Sequence, residues 1–347
     1  MDEKKKNVLL GIGKILTKAT MTVAPYALTD VAYKKVFYHR TNSNPLQAFK
    51  NEVFPSLIAE KVTFKSGKNT LTGYFYHYPK YDKKRIVIFV HGFGNGHHRY
   101  LDIINYLASK SLLVFSYDAT SFDESEGDGI FGFPQAIIDL EHAVDFVKEE
   151  RKYKDKDIVV MGHSMGGYAT GTYLNINPKI GKVVMLSSFN KSSSLIRQHG
   201  FEWAGERVDQ TIGYIDEYEE FRFGEYSSLT VVDGLNASKA KALIVHSSDD
   251  KTVPIEVGLS LYKKEVKHQR NIEFIKLSDR GHGTVYDSKE GRAYYEELNK
   301  QYSKYLKEKK NPTEEDKVNL FNLLVDPNKW SDLLDYSLMD KIVKFIK

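Results

Sequence analysis

The sequence predicts an α/β protein built on a mostly parallel sheet, and three observations carry that prediction. Six short apolar runs, rich in Val, Ile, Leu and Phe, recur along the chain: RIVIFVHG, LLVFSYDA, DIVVMGHS, KVVMLSS, KALIVHSS and NIEFIKLS. Continuous apolar runs suit strands covered on both faces. Between them lie helical patterns, with Tyr100, Ile103, Ile104 and Leu107 on one face and Ile137, Leu140, Val144 and Val147 on another. Strand alternating with helix is the pattern of a parallel sheet flanked by helices.

The elements follow in chain order. Lys4, Lys5 and Lys6 precede VLLGIGKIL, which Lys14 and Lys18 interrupt. The run falls short of the ~18 unbroken apolar residues of a membrane span. Val8, Ile12, Ile15, Ala19 and Val23 recur at helical spacing, so residues 1–56 are expected to form an N-terminal helical extension. Such a helix packs on the body, or lies on anionic lipid with its lysines at the headgroups. IAEKVTF and TLTGYFYHY flank Ser66-Gly67-Lys68-Asn69 and read as an antiparallel hairpin. The core is expected over 57–188 and 236–310. After Ser188 the alternation breaks, and 189–235 are rich in aromatics, including Phe201, Trp203, Tyr214 and Phe221. A connection this long carries its own structure, so a helical cap is expected there, with those four aromatics as substrate-binding candidates. The segment also holds the acids Asp216, Glu217, Glu219 and Glu220. NPTEED opens a C-terminal helical extension, 311–347, predicted as two helices with Trp330, Leu334, Leu338 and Ile342 on one stripe.

Composition narrows the function. The chain has 347 residues, 41% hydrophobic and 28% charged, as expected for a packed globular protein. A net charge of +4 with both signs mixed does not suggest a nucleic-acid binder. With no cysteine, disulfides, thiolate zinc sites and a Cys nucleophile are excluded, and the composition fits the cytoplasm.

The chemistry centres on GHSMG, Gly162 to Gly166, between the apolar run IVVM and the helical pattern YATGTYL. In that strand-turn-helix context a G-x-S-x-G turn presents a nucleophile, Ser164. A serine hydroxyl needs a base and a group that orients the base. His163 adjoins the serine and should point away from it at so sharp a turn. His91, His97 and His98 lack any recognised metal-ligand spacing, so no metal and no cofactor is expected. His282 lies in DRGHG after the last strand, where a glycine-flanked imidazole can reach the turn. The orienting acid should follow an earlier strand, and HSSDDKTVP offers Asp249 or Asp250. The order Ser, Asp, His is that of one hydrolase fold and not of the chymotrypsin or subtilisin types.

On these residues the chain resembles the α/β-hydrolase superfamily, in its serine esterase, monoacylglycerol-lipase-like and serine-aminopeptidase-like branch. HGFGN (His91 to Asn95) is similar to the family's loop whose residue after the glycine donates an oxyanion N–H. GHSMGG is similar to its elbow, D-x-x-V-P (Asp250 to Pro254) to its acid loop, and GHG around His282 to its base loop. The resemblance covers about Leu57 to Lys310. It implies backbone donors at Phe93 and Met165 and selects Asp250 over Asp249, while the aromatic cap points to a small-molecule ester with an apolar acyl or alcohol group as the substrate. One loop departs: Asp118 to Gly127 reads DATSFDESEG, with Thr120, Ser121 and Asp123 where the family has Arg and two Gly. An aminopeptidase, with a cap carboxylate holding the substrate amine, and a non-catalytic binding module are the rival expectations.

Overall fold

A computed structural model describes residues 26–44, 48–309 and 311–347. The amphipathic pattern over Val8 to Val23 therefore lies outside the described residues. Eight strands form one sheet: β1 (Ile58–Ser66), β2 (Asn69–His77), β3 (Arg85–Val90), β4 (Leu113–Tyr117), β5 (Asp157–His163), β6 (Lys182–Leu186), β7 (Lys241–Ser247) and β8 (Ile272–Leu277). Their spatial order is β1-β2-β4-β3-β5-β6-β7-β8. β2 runs antiparallel to both neighbours, and every later pair is parallel.

The predicted hairpin is present. Ser66 pairs with Asn69 across a two-residue turn, and Gly67 takes the φ of 56° that such a turn requires. The six apolar runs are the six parallel strands, and β3 explains why they are apolar throughout. Ile86, Ile88 and Val90 enter the core on one face, while Val87 and Phe89 enter a second core on the other. Successive side chains point to opposite faces, so a doubly covered strand has no position left for a polar residue.

Helices cover both faces. The predicted stripes fall on α2 (Leu101–Ser109) and α3 (Gln135–Glu149), and α4 (Met165–Thr172) leads out of β5. A helix over residues 26–37, α1, precedes the sheet. After β6 the chain forms α5 (Ser192–Ala204), α6 (Asp209–Phe223) and α7 (Val231–Ala237). α7 runs past residue 235, where the cap was expected to end, and buries Val231 and Leu235 in the main core. It is the helix that leads into β7, packed on the core, while α5 and α6 precede it. α8 (Leu259–Glu265) and α9 (Lys289–Glu308) follow.

The tail departs from its expected form. It contains α10 (Glu314–Leu324), α11 (Pro327–Trp330) and α12 (Tyr336–Ile346). Thr313 and Asp316 form a reciprocal capping box at the start of α10. Trp330, Leu334, Leu338 and Ile342 are all buried in one core, but not on one helix. Leu334 lies between α11 and α12, bridged to Asp287, because Asp335 starts a new helix by accepting from the Leu338 N–H. No described helix is long and apolar enough to cross a membrane.

Candidate active site

The C-terminal ends of the parallel strands carry the site. β5 ends at His163, and Ser164 takes φ 55° and ψ −117° before α4 begins. This is a strained conformation for a residue with a side chain. The flanking glycines allow the turn by close approach. A Cβ on Gly162 would lie 2.2 Å from Gly166 O, and one on Gly166 would lie 2.0 Å from Val90 O. Neither position tolerates alanine without moving backbone.

Ser164, His282 and Asp250 meet in series. His282 Nε2 lies 2.8 Å from Ser164 Oγ, and His282 Nδ1 lies 2.7 Å from Asp250 Oδ2. Asp250 Oδ1 accepts from the N–H groups of Thr252 and Val253 at 2.9 and 2.8 Å. Burial disfavours the Asp250 carboxylate, but hydrogen bonds from His282 and the Val253 backbone, with His246 close by, outweigh it and hold this carboxyl well below its usual range. His282 is the stronger of the two imidazole partners. His246 Nε2 stands 3.5 Å from the carboxylate and donates instead to Val253 O at 2.8 Å. Asp249 faces elsewhere: it accepts from the Ser247 hydroxyl and from the N–H groups of Arg280 and Gly281. It clasps the start of the loop that carries His282.

A second chain of contacts lies behind the first. Gly92 N–H donates to Tyr100 Oη at 3.1 Å, and Tyr100 Oη lies 2.8 Å from His163 Nδ1. His163 Nε2 lies 3.0 Å from His282 O. A carbonyl oxygen can only accept, so Nε2 carries the proton. Nδ1 then accepts from the tyrosine hydroxyl, and every group in the chain is satisfied. Burial, and then the nearby His282, keep His163 neutral by pushing its pKa well below the usual value. His163 thus points away from Ser164, as so sharp a turn requires, and joins the Gly92 loop to the His282 loop. Arg99 adds a second tie, with Nη2 donating to Gly283 O at 3.1 Å.

Other histidines have structural partners. His91 Nδ1 donates to Gly92 O while Nε2 accepts from Ala119 N–H. His97 lies between Asp118 and Tyr76 at 2.7 and 2.8 Å. Among the described residues no group of three or more His, Asp or Glu side chains could hold a metal ion.

A cavity of about 300 Å³ opens beside Ser164 and His282. Its walls include Phe93, Asn95, Tyr286, Thr284 and Tyr295. The aromatic cap candidates are not among them. Phe221 is 89% exposed and Phe201 42% exposed. Tyr214 donates to Asp30 on α1. Trp203 lies in α5, and its side chain is outside the described ones. Of the cap acids, Asp216 pairs with Lys191 at 2.8 Å. Glu219 is buried and accepts from Tyr33 and Ser192 at 2.8 and 2.6 Å, with no place in the cavity wall. Motif spacing could not have found Tyr100, Arg99, Tyr286 or Tyr295. Arg99 and Tyr100 reach the site from the single turn before α2, Tyr286 from the loop before α9 and Tyr295 from α9, through tertiary packing, and no local pattern marks them for the site.

The sheet order and the strand-turn-helix geometry at Ser164 define an α/β-hydrolase. The sequence profile of the prolyl oligopeptidase family matches residues 135–309, just over half of the chain, and the chain belongs to that family. It is 29% identical over 203 residues to an uncharacterized protein of Acanthamoeba polyphaga mimivirus, covering 56% of this chain and 66% of that one. It is 31% identical over 94 residues to the monoglyceride lipase of Mus musculus, covering 26% of this chain and 30% of the lipase. The matched part thus spans about two thirds of the first relative's length and less of the second's. Among solved structures, an esterase of Pyrococcus furiosus superimposes with a TM-score of 0.54 at 19% identity, over 78% of this chain and 98% of the esterase. At that identity the likeness is one of fold.

Proposed function

We propose that the chain is a serine hydrolase that cleaves a carboxylic ester through an acyl-enzyme, with Ser164, His282 and Asp250 as its triad. The observation that carries this reading is the unbroken series of short contacts from Ser164 Oγ through His282 to Asp250. As Ser164 Oγ attacks the carbonyl carbon, His282 Nε2 takes its proton and later returns it to the leaving alcohol. Water then attacks the acyl-enzyme by the same proton path. Asp250 keeps the Nδ1–H tautomer in place and stabilises the imidazolium. The oxyanion is assigned to the backbone N–H groups of Phe93 and Met165, neither of which has a hydrogen-bond acceptor among the described residues. One such donor is typically worth ~10²–10³ in turnover. Tyr100 and His163 position the machinery: the first holds the turn before Phe93, the second holds the backbone of His282.

The cavity beside Ser164 lies at the small end of the range for ligand sites, which favours a short acyl or alcohol group against Phe93 and Tyr295. Peptide-type bonds are the second reading, favoured by the family to which residues 135–309 belong. The test is labelling of Ser164 by a fluorophosphonate probe, then rates on p-nitrophenyl butyrate and on an aminoacyl-naphthylamide. Faster turnover of the amide would replace the ester reading, and an unlabelled, folded wild type would remove both.

A further inference from the structure

We infer that the end of the sheet opposite Ser164 is a binding site for a small, multiply phosphorylated anion. A cavity of about 700 Å³ lies there, larger than the one at Ser164. The parallel strands begin at this end, one strand length away from the elbow, or roughly 20 Å. Arg85, Lys182 and Lys241 stand at the first positions of β3, β6 and β7 and line it. Lys148 from α3, Lys154 and Lys156 from the approach to β5, and Lys179 from the approach to β6 complete the rim. Asp157 is the single carboxylate in the lining.

None of these seven cations forms an ion pair among the described residues. In a chain of net charge +4, that concentrates positive charge on one concave surface. Two of the cations are held by backbone carbonyls. Lys182 Nζ donates to Phe345 O and Ile346 O at 2.8 and 3.0 Å, at the end of α12, and Lys156 Nζ donates to Lys83 O. Partial burial, and then the neighbouring Arg85 and Lys241, lower the Lys182 pKa, as expected for cations that repel one another. An anion bound between them relieves that repulsion.

The shape and the side-chain chemistry choose the ligand. A concave site suits a compact molecule rather than a nucleic-acid strand, which needs an extended stripe. Lysine presents a compact point charge with three rotatable donors, which suits phosphate oxygens approached from several directions, and seven cations around one cavity call for a ligand of several negative charges. Ile158, Val159 and Ile180 give the cavity an apolar floor. Such phosphate groups can come from a soluble polyphosphate or from a phosphorylated lipid headgroup.

The test uses the full chain. Inositol hexakisphosphate is titrated by calorimetry, and vesicles of phosphatidylcholine with and without phosphatidylinositol bisphosphate are co-sedimented. Saturable binding of the soluble probe is expected, weakening by about tenfold in Lys179→Glu and again in Lys179→Glu/Lys241→Glu, while Lys68→Glu at the hairpin tip binds as wild type. Sedimentation with the bisphosphate vesicles alone assigns a headgroup, and binding of the soluble probe alone assigns a free polyphosphate. Failure of both probes to bind, or binding undiminished in the double variant, overturns the inference. Hydrolysis by Ser164 is independent of these residues, so loss of this proposal leaves the enzymatic one intact, and the reverse holds too.

Discussion

The same parallel strands end in two different treatments of charge. At their C-terminal ends Asp250 and His282 sit in short hydrogen bonds with one partner geometry each. At their N-terminal ends Arg85, Lys182 and Lys241 line a cavity, and among the described residues no carboxylate forms an ion pair with them. Buried, partnered charge has a defined orientation, and removing one partner strands the other at a large cost. Unpaired charge at a surface is screened by salt and contributes little to the fold. Substitutions at the first end should therefore change turnover, and those at the second should change only what binds there.

The largest expected break is Ser164→Ala, which should lower p-nitrophenyl butyrate turnover by on the order of 10⁶ and abolish fluorophosphonate labelling while far-UV circular dichroism is unchanged. Asp250→Asn should follow at ~10⁴, because the amide holds the imidazole in the wrong tautomer. Asp249→Asn, which weakens only the clasp on Arg280 and Gly281, should cost about tenfold or less. If the two aspartates exchange these effects in the steady-state assay, the acid is Asp249. Tyr100→Phe should lower kcat by roughly tenfold with KM unchanged, and should cost about 1–3 kcal/mol in urea unfolding, since it leaves a buried Gly92 N–H and His163 Nδ1 unpaired.

A smaller effect separates fold stability from chemistry. Burial pushes Glu219 up to about 7, above the value of an unfolded chain. The folded state therefore holds this proton more tightly, and stability falls as pH rises from the unfolded pKa through about 7. Relative to Glu219→Gln, the wild type should lose up to ~3 kcal/mol between pH 4 and 8 in denaturant titrations. A parallel pH dependence in the two proteins would place this carboxyl in solvent. The smallest effect is expected from Lys179→Glu/Lys241→Glu on hydrolysis: no change in kcat/KM at physiological ionic strength, where the ~8 Å screening length is short against the roughly 20 Å between the two ends.

What could be read from the chain alone follows from how local each signal is. The six strands were legible because two-sided burial imposes uninterrupted apolar runs. Ser164, Asp250 and His282 were legible as candidates because each follows a strand directly, in a loop with its own turn chemistry. The cap is harder to read from sequence, for a physical reason. The buried face of α6 is Thr211, Ile215, Glu219 and Phe223, spaced by four. An acid within that stripe breaks its apolar pattern, while Phe221, apolar by sequence, is exposed to solvent. The Tyr100–His163 bridge had no signal, since its members come from the turn before α2 and the end of β5 and meet only after the sheet is assembled. The basic cavity was equally hidden: its cations are scattered from Arg85 to Lys241, and the near-neutral total masks their convergence.

The position of β3 between β4 and β5 has a consequence for dissecting this protein. The family-matched half begins at residue 135 and carries all three candidate triad side chains, yet β5 hydrogen-bonds to β3 along Arg85 to Val90. A fragment starting at residue 135 would turn the innermost strand of the sheet into a bare edge, with Val159 to Met161 offering unpaired amides to any passing chain. It would also lack the segment that bears Phe93 and Tyr100. Such a truncation should yield insoluble material rather than a minimal enzyme.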